Sequence, residues 1–181
     1  MPQESLDIKL LPATAAADTV TMKQLAELIN MVYASAEKGL WLDGADRTTV
    51  DEVTELTRAG QIAVARLGDR IVGSVRVRLL DSGEGEFGIL AADPDLRGTG
   101  IGRELVLFAE RTCRDLGVGA MQLELLVPRE WKHPSKEFLD SWYTRLGYRV
   151  IRTGTIDETY PALEPLLATP CDFLTYRKDL T

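Results

Sequence analysis

The sequence predicts a single mixed α/β domain over residues 1–181, with a mostly antiparallel sheet that contains one parallel step and is flanked by helices. Three observations carry that prediction. Short β-rich runs alternate with amphipathic helical stretches along the chain. In the middle, tight turns at Gly68-Asp69 and Ser82–Gly85 join successive strands into an antiparallel meander. Later strands are joined by helices instead, and the helix after Gly100 permits a parallel crossover.

Leu6–Leu11 alternates as a strand, and Pro12 closes it. Behind Asp18 or Thr19 as cap, Thr21–Tyr33 repeats Met22, Leu25, Leu28, Ile29 and Val32 at helical spacing. Glu37–Asp46 reads as a loop, and a short helix from about Thr49 to Arg58 ends at Gly60. The period then changes. Ile62–Leu67 and Arg70–Leu80 are strands, and Glu86–Ala92 is a third, stopped by Asp93-Pro94. From Gly100 to Leu116 a helical stripe returns, with Leu105, Phe108, Ala109, Thr112, Cys113 and Leu116 together. Met121–Val127 is a strand and Ser135–Leu146 a helix capped by Ser135, with Phe138, Trp142 and Leu146 as its apolar stripe and Tyr143 offset from it. Tyr148–Ile156 is a strand, Ala162–Ala168 a short helix, and Phe173–Arg177 the last strand.

Composition narrows the function. The 181 residues carry 21 Lys+Arg against 28 Asp+Glu, a net charge of −7, with 45% hydrophobic residues. That balance reads as a soluble globular protein and argues against nucleic acid as a partner, while leaving room for a cationic substrate. No apolar run has the length of a membrane span, so no membrane partner is expected. The opening Met-Pro-Gln-Glu-Ser lacks a signal peptide's basic start, and Cys113 and Cys171 form no disulfide framework; both point to the cytoplasm. His133 is the single histidine, with no ligand-spaced partner, so no metal is expected.

The most informative stretch is Asp93–Arg103. Glycines at 98, 100 and 102 stand between a strand and an amphipathic helix, where free amides and the positive end of the helix dipole attract an anion. Arg97 adds a fork of donors for phosphate oxygens. A phosphate loop of the G-x-x-x-x-G-K-[ST] type fails for want of a lysine, and the G-x-G-x-x-G fingerprint fails because Arg103 or Leu105 stands at its third glycine. What fits is R-x-x-G-x-G, as Arg97, Gly100 and Gly102.

On these residues the chain resembles the GNAT superfamily of acyl-CoA-dependent N-acetyltransferases. The run Leu90–Gly102 is similar to that family's strand-loop-helix core, and Trp142-Tyr143-Thr144-Arg145-Leu146-Gly147-Tyr148 is similar to its Y-x-x-L-G-[FY] segment. The resemblance implies a GNAT-like fold whose sheet splays at the coenzyme site. It implies acetyl-CoA as acyl donor, with its pyrophosphate on Arg97, Gly98, Thr99, Gly100, Ile101, Gly102 and Arg103. The pantetheine would lie as an extra strand along Leu90, Ala91 and Ala92. Tyr143 matches the family tyrosine assigned as general acid toward the leaving thiolate, by direct transfer to a primary amine.

Such a reaction also needs a base. An amine of pKa about 10.4 is neutral only about once in 2,500 molecules at pH 7. Glu86, eleven residues before Arg97, stands where several family members carry a carboxylate; an exposed, solvated Glu86 is equally consistent with the sequence. Glu124 on the next strand is the second candidate. Glu37–Asp46 holds Trp41 and several carboxylates, suited either to a cationic amine or to a solvated loop. The segment Ile156–Pro170 is a candidate pocket cover or homodimer contact. The acceptor is then a small-molecule or peptide amine. The reading from another class is a non-catalytic acyl-CoA sensor of the same fold.

Overall fold

Capping chemistry sets where the first helices begin. The computed structural model describes residues 3–181. Strand β1 (Leu6–Leu10) leads through a 3-10 turn to α1 (Thr19–Ala36), whose cap Asp18 accepts the Thr21 amide at 3.1 Å. Thr49 caps α2 (Val50–Arg58), accepting the Glu52 amide at 3.0 Å. Strands β2 (Ile62–Leu67), β3 (Arg70–Leu79) and β4 (Gly85–Ala92) form the meander, and α3 (Ile101–Asp115) crosses to β5 (Ala120–Pro128). Helix α4 (Pro134–Arg145), β6 (Arg149–Gly154) and β7 (Cys171–Asp179) follow.

The strands make one sheet in the order β1-β2-β3-β4-β5-β7-β6, and every neighbouring pair is antiparallel except β4 with β5. This is the parallel step read from the sequence; α3 carries the chain back across the sheet before β5 starts. The step is short. Gly85 lies opposite Met121 and Glu86 opposite Gln122, and beyond them the two strands part. On its other side β4 keeps its ladder with β3, where Ser74 faces Ala91 but Arg76 faces Gly88. The extra residue is on β4, and Ile89 there has φ 48°, a region that β-branched residues rarely enter. A V-shaped gap between β4 and β5 results, with the bulge on one wall.

Both faces of the sheet are covered. Val75, Val77, Phe87, Leu105, Leu123 and Tyr143 belong to the core beneath α3 and α4, while Met22, Leu25, Ile29, Val53, Ile62 and Val64 pack beneath α1 and α2. Each fully buried aliphatic side chain of this kind contributes about 1.5–3 kcal/mol. A third cluster of Leu40, Leu126, Ile156, Cys171 and Phe173 lies beside the turns that precede β7.

Three details differ from the sequence reading. The helix expected at Ala162–Ala168 is a 3-10 turn, Pro161–Leu166, because Pro165 lacks an amide and its ring obstructs an α-helical turn. Strand β7 is longer than expected, since it lies between two partners and pairs with β5 from Cys171 to Asp179. Helix α4 is rotated: Phe138 is 61% exposed, whereas Tyr143 and Lys136 are buried. Tyr143 enters an aromatic cluster, with ring centroids 6.0 Å from Phe87, 6.3 Å from Tyr148 and 6.0 Å from Tyr176. Those contacts outweigh the hydrophobicity of Phe138 in setting the helix phase.

Candidate active site

The glycine turn is built to leave amides free. Gly98 and Gly100 have φ values of 82° and 86°, which side chains other than glycine adopt only with strain. Gly100 is the cap of α3 and has no side chain to offer the helix. Thr99 closes the turn on Leu96, its amide at 3.2 Å and its hydroxyl at 2.6 Å from the same carbonyl oxygen. Among the described residues, nothing accepts from the amides of Gly98, Gly100, Ile101, Gly102 or Arg103. A Cβ placed on Gly98 or Gly100 would meet no atom within 4 Å. Open space, free amides and a helix start together form a seat for a phosphate group. Arg97 and Arg103 are exposed beside it.

Below Asp93, which accepts the Asp95 amide at 2.9 Å and pairs with Arg70, the end of β4 lines the gap. Leu90 and Ala92 pack toward α3 and α4, and Ala91 toward α1 and α2. Their side chains are thus committed to the two cores. From Phe87 onward the edge of β4 that faces β5 has no ladder partner, which is the geometry a ligand needs to add as a strand.

Tyr143 packs between Phe87 of β4 and Tyr176 of β7, its ring centroid 6.0 Å from each. Burial pushes its phenol far above the ordinary value, with Tyr33 and Tyr176 adding to the shift. Among the described residues its hydroxyl has no hydrogen-bond partner. A phenol held protonated and uncommitted can donate.

On the opposite face of the sheet the polar residues of three strands meet. Glu86, expected to be exposed or solvated as readily as catalytic, is only 4% exposed. Its Oε1 accepts from Arg76 Nη2 at 2.9 Å and from Arg78 Nε at 2.8 Å, and among the described residues nothing donates to Oε2. Glu124 on β5 accepts from the Tyr160 hydroxyl at 3.2 Å. Burial, and then the charge of Glu86, raise Glu124 above the usual carboxylate range, against the pull of Tyr160 and the arginines. Arg76, Arg78, Tyr33 and Tyr160 escaped the sequence reading. One signal was available: Arg76-Val77-Arg78 puts two guanidiniums on the same face of an inner strand, an arrangement that demands a charge partner.

Other candidates prove structural. Glu37 and Trp41 do not form a cation site. Glu37 is buried, takes Lys136 Nζ at 2.5 Å and receives the Trp41 indole at 3.2 Å, tying α1 to α4. His133, not Ser135, caps α4: its Nδ1 accepts the Ser135 amide at 3.2 Å, so Nε2 carries the proton that bonds the Lys38 carbonyl at 3.0 Å. Cys113 and Cys171 are buried; burial raises both thiols, that of Cys171 to about 11, and neither is activated. No group of metal-ligating side chains occurs among the described residues, and no helix among them is long and apolar enough to cross a membrane.

The model of the acetyltransferase (GNAT) family matches residues 25–148, which include the bulge, the glycine turn and Tyr143. No curated protein matches the sequence. Among solved structures, Ard1 from Thermoplasma volcanium superposes with a TM-score of 0.67 at 13% identity, over 97% of this chain and 98% of that one. An IAA acetyltransferase from Bacillus cereus gives 0.63 at 15% identity, over 97% and 99%. The N-acetylglutamate synthase from Neisseria gonorrhoeae, solved with coenzyme A and N-acetyl-glutamate, gives 0.66 at 12% identity, over 98% of this chain and 35% of that one. At these identities the likeness is one of fold. With the family match over most of its length, the chain belongs to the GNAT family of acetyltransferases.

Proposed function

We propose that residues 1–181 work as one N-acetyltransferase domain, which moves the acetyl group of acetyl-CoA directly to a primary amine with Tyr143 as general acid. The observation that carries this reading is the gap between β4 and β5, with free amides at one end and a protonated, unpartnered phenol beside it. The residues present fit the donor. Pyrophosphate suits the free amides of Gly98 and of Gly100–Arg103, with Arg97 and Arg103 alongside, and pantetheine suits the free edge of β4 at Leu90, Ala91 and Ala92. Acetyl-CoA laid along that path brings its thioester to the bulge at Ile89.

The amine arrives as an ammonium and first gives one proton to a carboxylate. Glu124, raised by burial, is the better matched acceptor, and the free Oε2 of Glu86 is the other. The nitrogen lone pair then attacks the carbonyl carbon. As the C–N bond forms, the C–S bond breaks and its electron pair goes to sulfur. Tyr143 protonates that sulfur, and the second proton leaving nitrogen restores the phenol. One acetamide, one free thiol and one proton result.

Calorimetric titration with acetyl-CoA, followed by a panel of amines monitored for free thiol, tests the reading. Thiol release with an amine is the expected result. Acetyl-CoA binding with no thiol release on any amine would make the protein a sensor, and failure to bind acetyl-CoA would overturn both readings.

A further inference from the structure

The face of the sheet beyond the bulge has an unbalanced set of charges. Arg76 lies flat across Gly88, its Nη2 2.9 Å from the point a Cβ would occupy there, which puts the guanidinium one residue from the bulge. Nη2 is taken by Glu86, but Nε is buried and has no partner among the described residues. Arg47, from the loop between α1 and α2, lies over the ring of Tyr33 at 5.1 Å, and among the described residues no carboxylate is within salt-bridge distance of it. Burial raises the Tyr33 phenol; the charges of Arg47 and Arg76 pull against that shift and the charge of Glu37 adds to it. Arg76 and Arg78 share one carboxylate oxygen of Glu86, and Glu37 is taken up by Lys136.

A chain with a net charge of −7 thus collects surplus guanidinium beside its acceptor face. Burying an unpaired guanidinium donor is unfavourable unless an anion completes it, and a planar carboxylate matches the fork. We infer that the acceptor is a small amine that also carries a carboxylate, of amino-acid type, with the carboxylate held between Arg47 and Arg76 and the ammonium turned toward Glu124. This inference rests on the amine-transfer reading.

Two measurements test it separately from transfer itself. In the first, amino acids and their amides are compared as acceptors by thiol release; the acids are expected to have a kcat/KM about 10- to 100-fold higher. Arg47→Gln, a change in the loop between α1 and α2, should shrink that ratio without altering the affinity for acetyl-CoA. In the second, the CoA-loaded protein is titrated with N-acetylamino acids and with their amides, covering small, aromatic, acidic and basic side chains. Selective binding of the acids supports the inference even if no amine releases thiol, an outcome that would sink the transfer reading alone. Equal use of acids and amides as acceptors, or no selective binding of the acids, overturns the inference and leaves transfer intact.

Discussion

In the proposed reaction the glycine turn and the polar face beyond the bulge do comparable work by opposite means. The turn runs through six consecutive residues, Gly98–Arg103, and offers main-chain amides. The polar face draws Tyr33, Arg47, Arg76, Glu86, Glu124 and Tyr160 from α1, a loop, β3, β4, β5 and a turn, and offers side chains. Amides at a helix start bind phosphate whatever the neighbouring side chains are, so only the glycines that expose them leave a mark in the sequence. Side-chain recognition can be assembled from anywhere the sheet brings strands together. The donor half is therefore written locally, and the acceptor half is written in register.

The sharpest way to break this contrast is at the residue between the two halves. Tyr143→Phe should lower kcat by about 10²- to 10⁴-fold while leaving the acetyl-CoA Kd unchanged, measured by thiol release and calorimetry. Because burial holds the phenol well above its ordinary value, it stays protonated and should add no alkaline limb to the wild-type rate below about pH 10. A weakened Kd in the variant would assign the phenol to the donor half instead.

Glu124→Gln tests the acceptor half. It should reduce kcat/KM by about 10- to 100-fold near neutrality. The base must be ionised, so the wild-type rate should fall as pH drops through a value above the usual carboxylate range, and the variant should lack that limb. Stability should move the other way. A carboxyl raised by burial binds its proton more tightly when folded, so its contribution is present at low pH and is lost as pH rises through the folded pKa. Replacing it with an amide should leave the neutral-pH melting temperature unchanged or slightly higher. A large loss of stability would make Glu124 part of the scaffold.

The same contrast governs what could be read beforehand. The strands, the caps of α1 and α2 and the parallel step follow from period and turn chemistry, and Arg97, Gly100 and Gly102 follow from a contiguous motif, whereas the α4 cap, read from the sequence as Ser135, is His133. The phase of α4 does not. Its buried face is decided by Phe87, Tyr148 and Tyr176, which lie far from Tyr143 in sequence or on other elements, and by the Glu37–Lys136 pair between positions 99 apart. Nor could Glu86 be distinguished from a solvated residue, because its burial depends on Arg76 and Arg78 lying on the next strand in register. Trp41 and Glu37 looked available for a substrate only because their partners were out of sight.

Within the donor half, two glycines should separate strain from access. Gly102 has ordinary φ, and a Cβ there would stand 3.6 Å from Trp142, so Gly102→Ala fits the helix and should slightly stabilise the fold. Its methyl group would nonetheless crowd a phosphate on the amides, and the acetyl-CoA Kd should rise about tenfold. Gly100→Ala should weaken binding similarly but also destabilise the protein by about 1–2 kcal/mol, since its φ is 86°. Equal stability of the two variants would contradict the left-handed cap.

The smallest effect bears most directly on the claim that main chain dominates the donor side. Arg97 is exposed, its amide is spent on the Pro94 carbonyl at 3.3 Å, and among the described residues no carboxylate orients its guanidinium. A mobile charge in water gains little from a phosphate, because ordering the side chain and screening by salt offset most of the attraction. Arg97→Gln should therefore raise the acetyl-CoA Kd only about two- to fivefold at low salt. Moving from about 0.05 M to about 0.3 M salt should erase most of that difference, since the Debye length falls below the reach of an exposed side chain. The amide contribution should persist, because short hydrogen bonds at a helix start are screened far less. A loss near 100-fold that survives high salt would mean the arginine fork, rather than the glycine-exposed amides, holds the pyrophosphate, and both halves of the cleft would then depend on side chains.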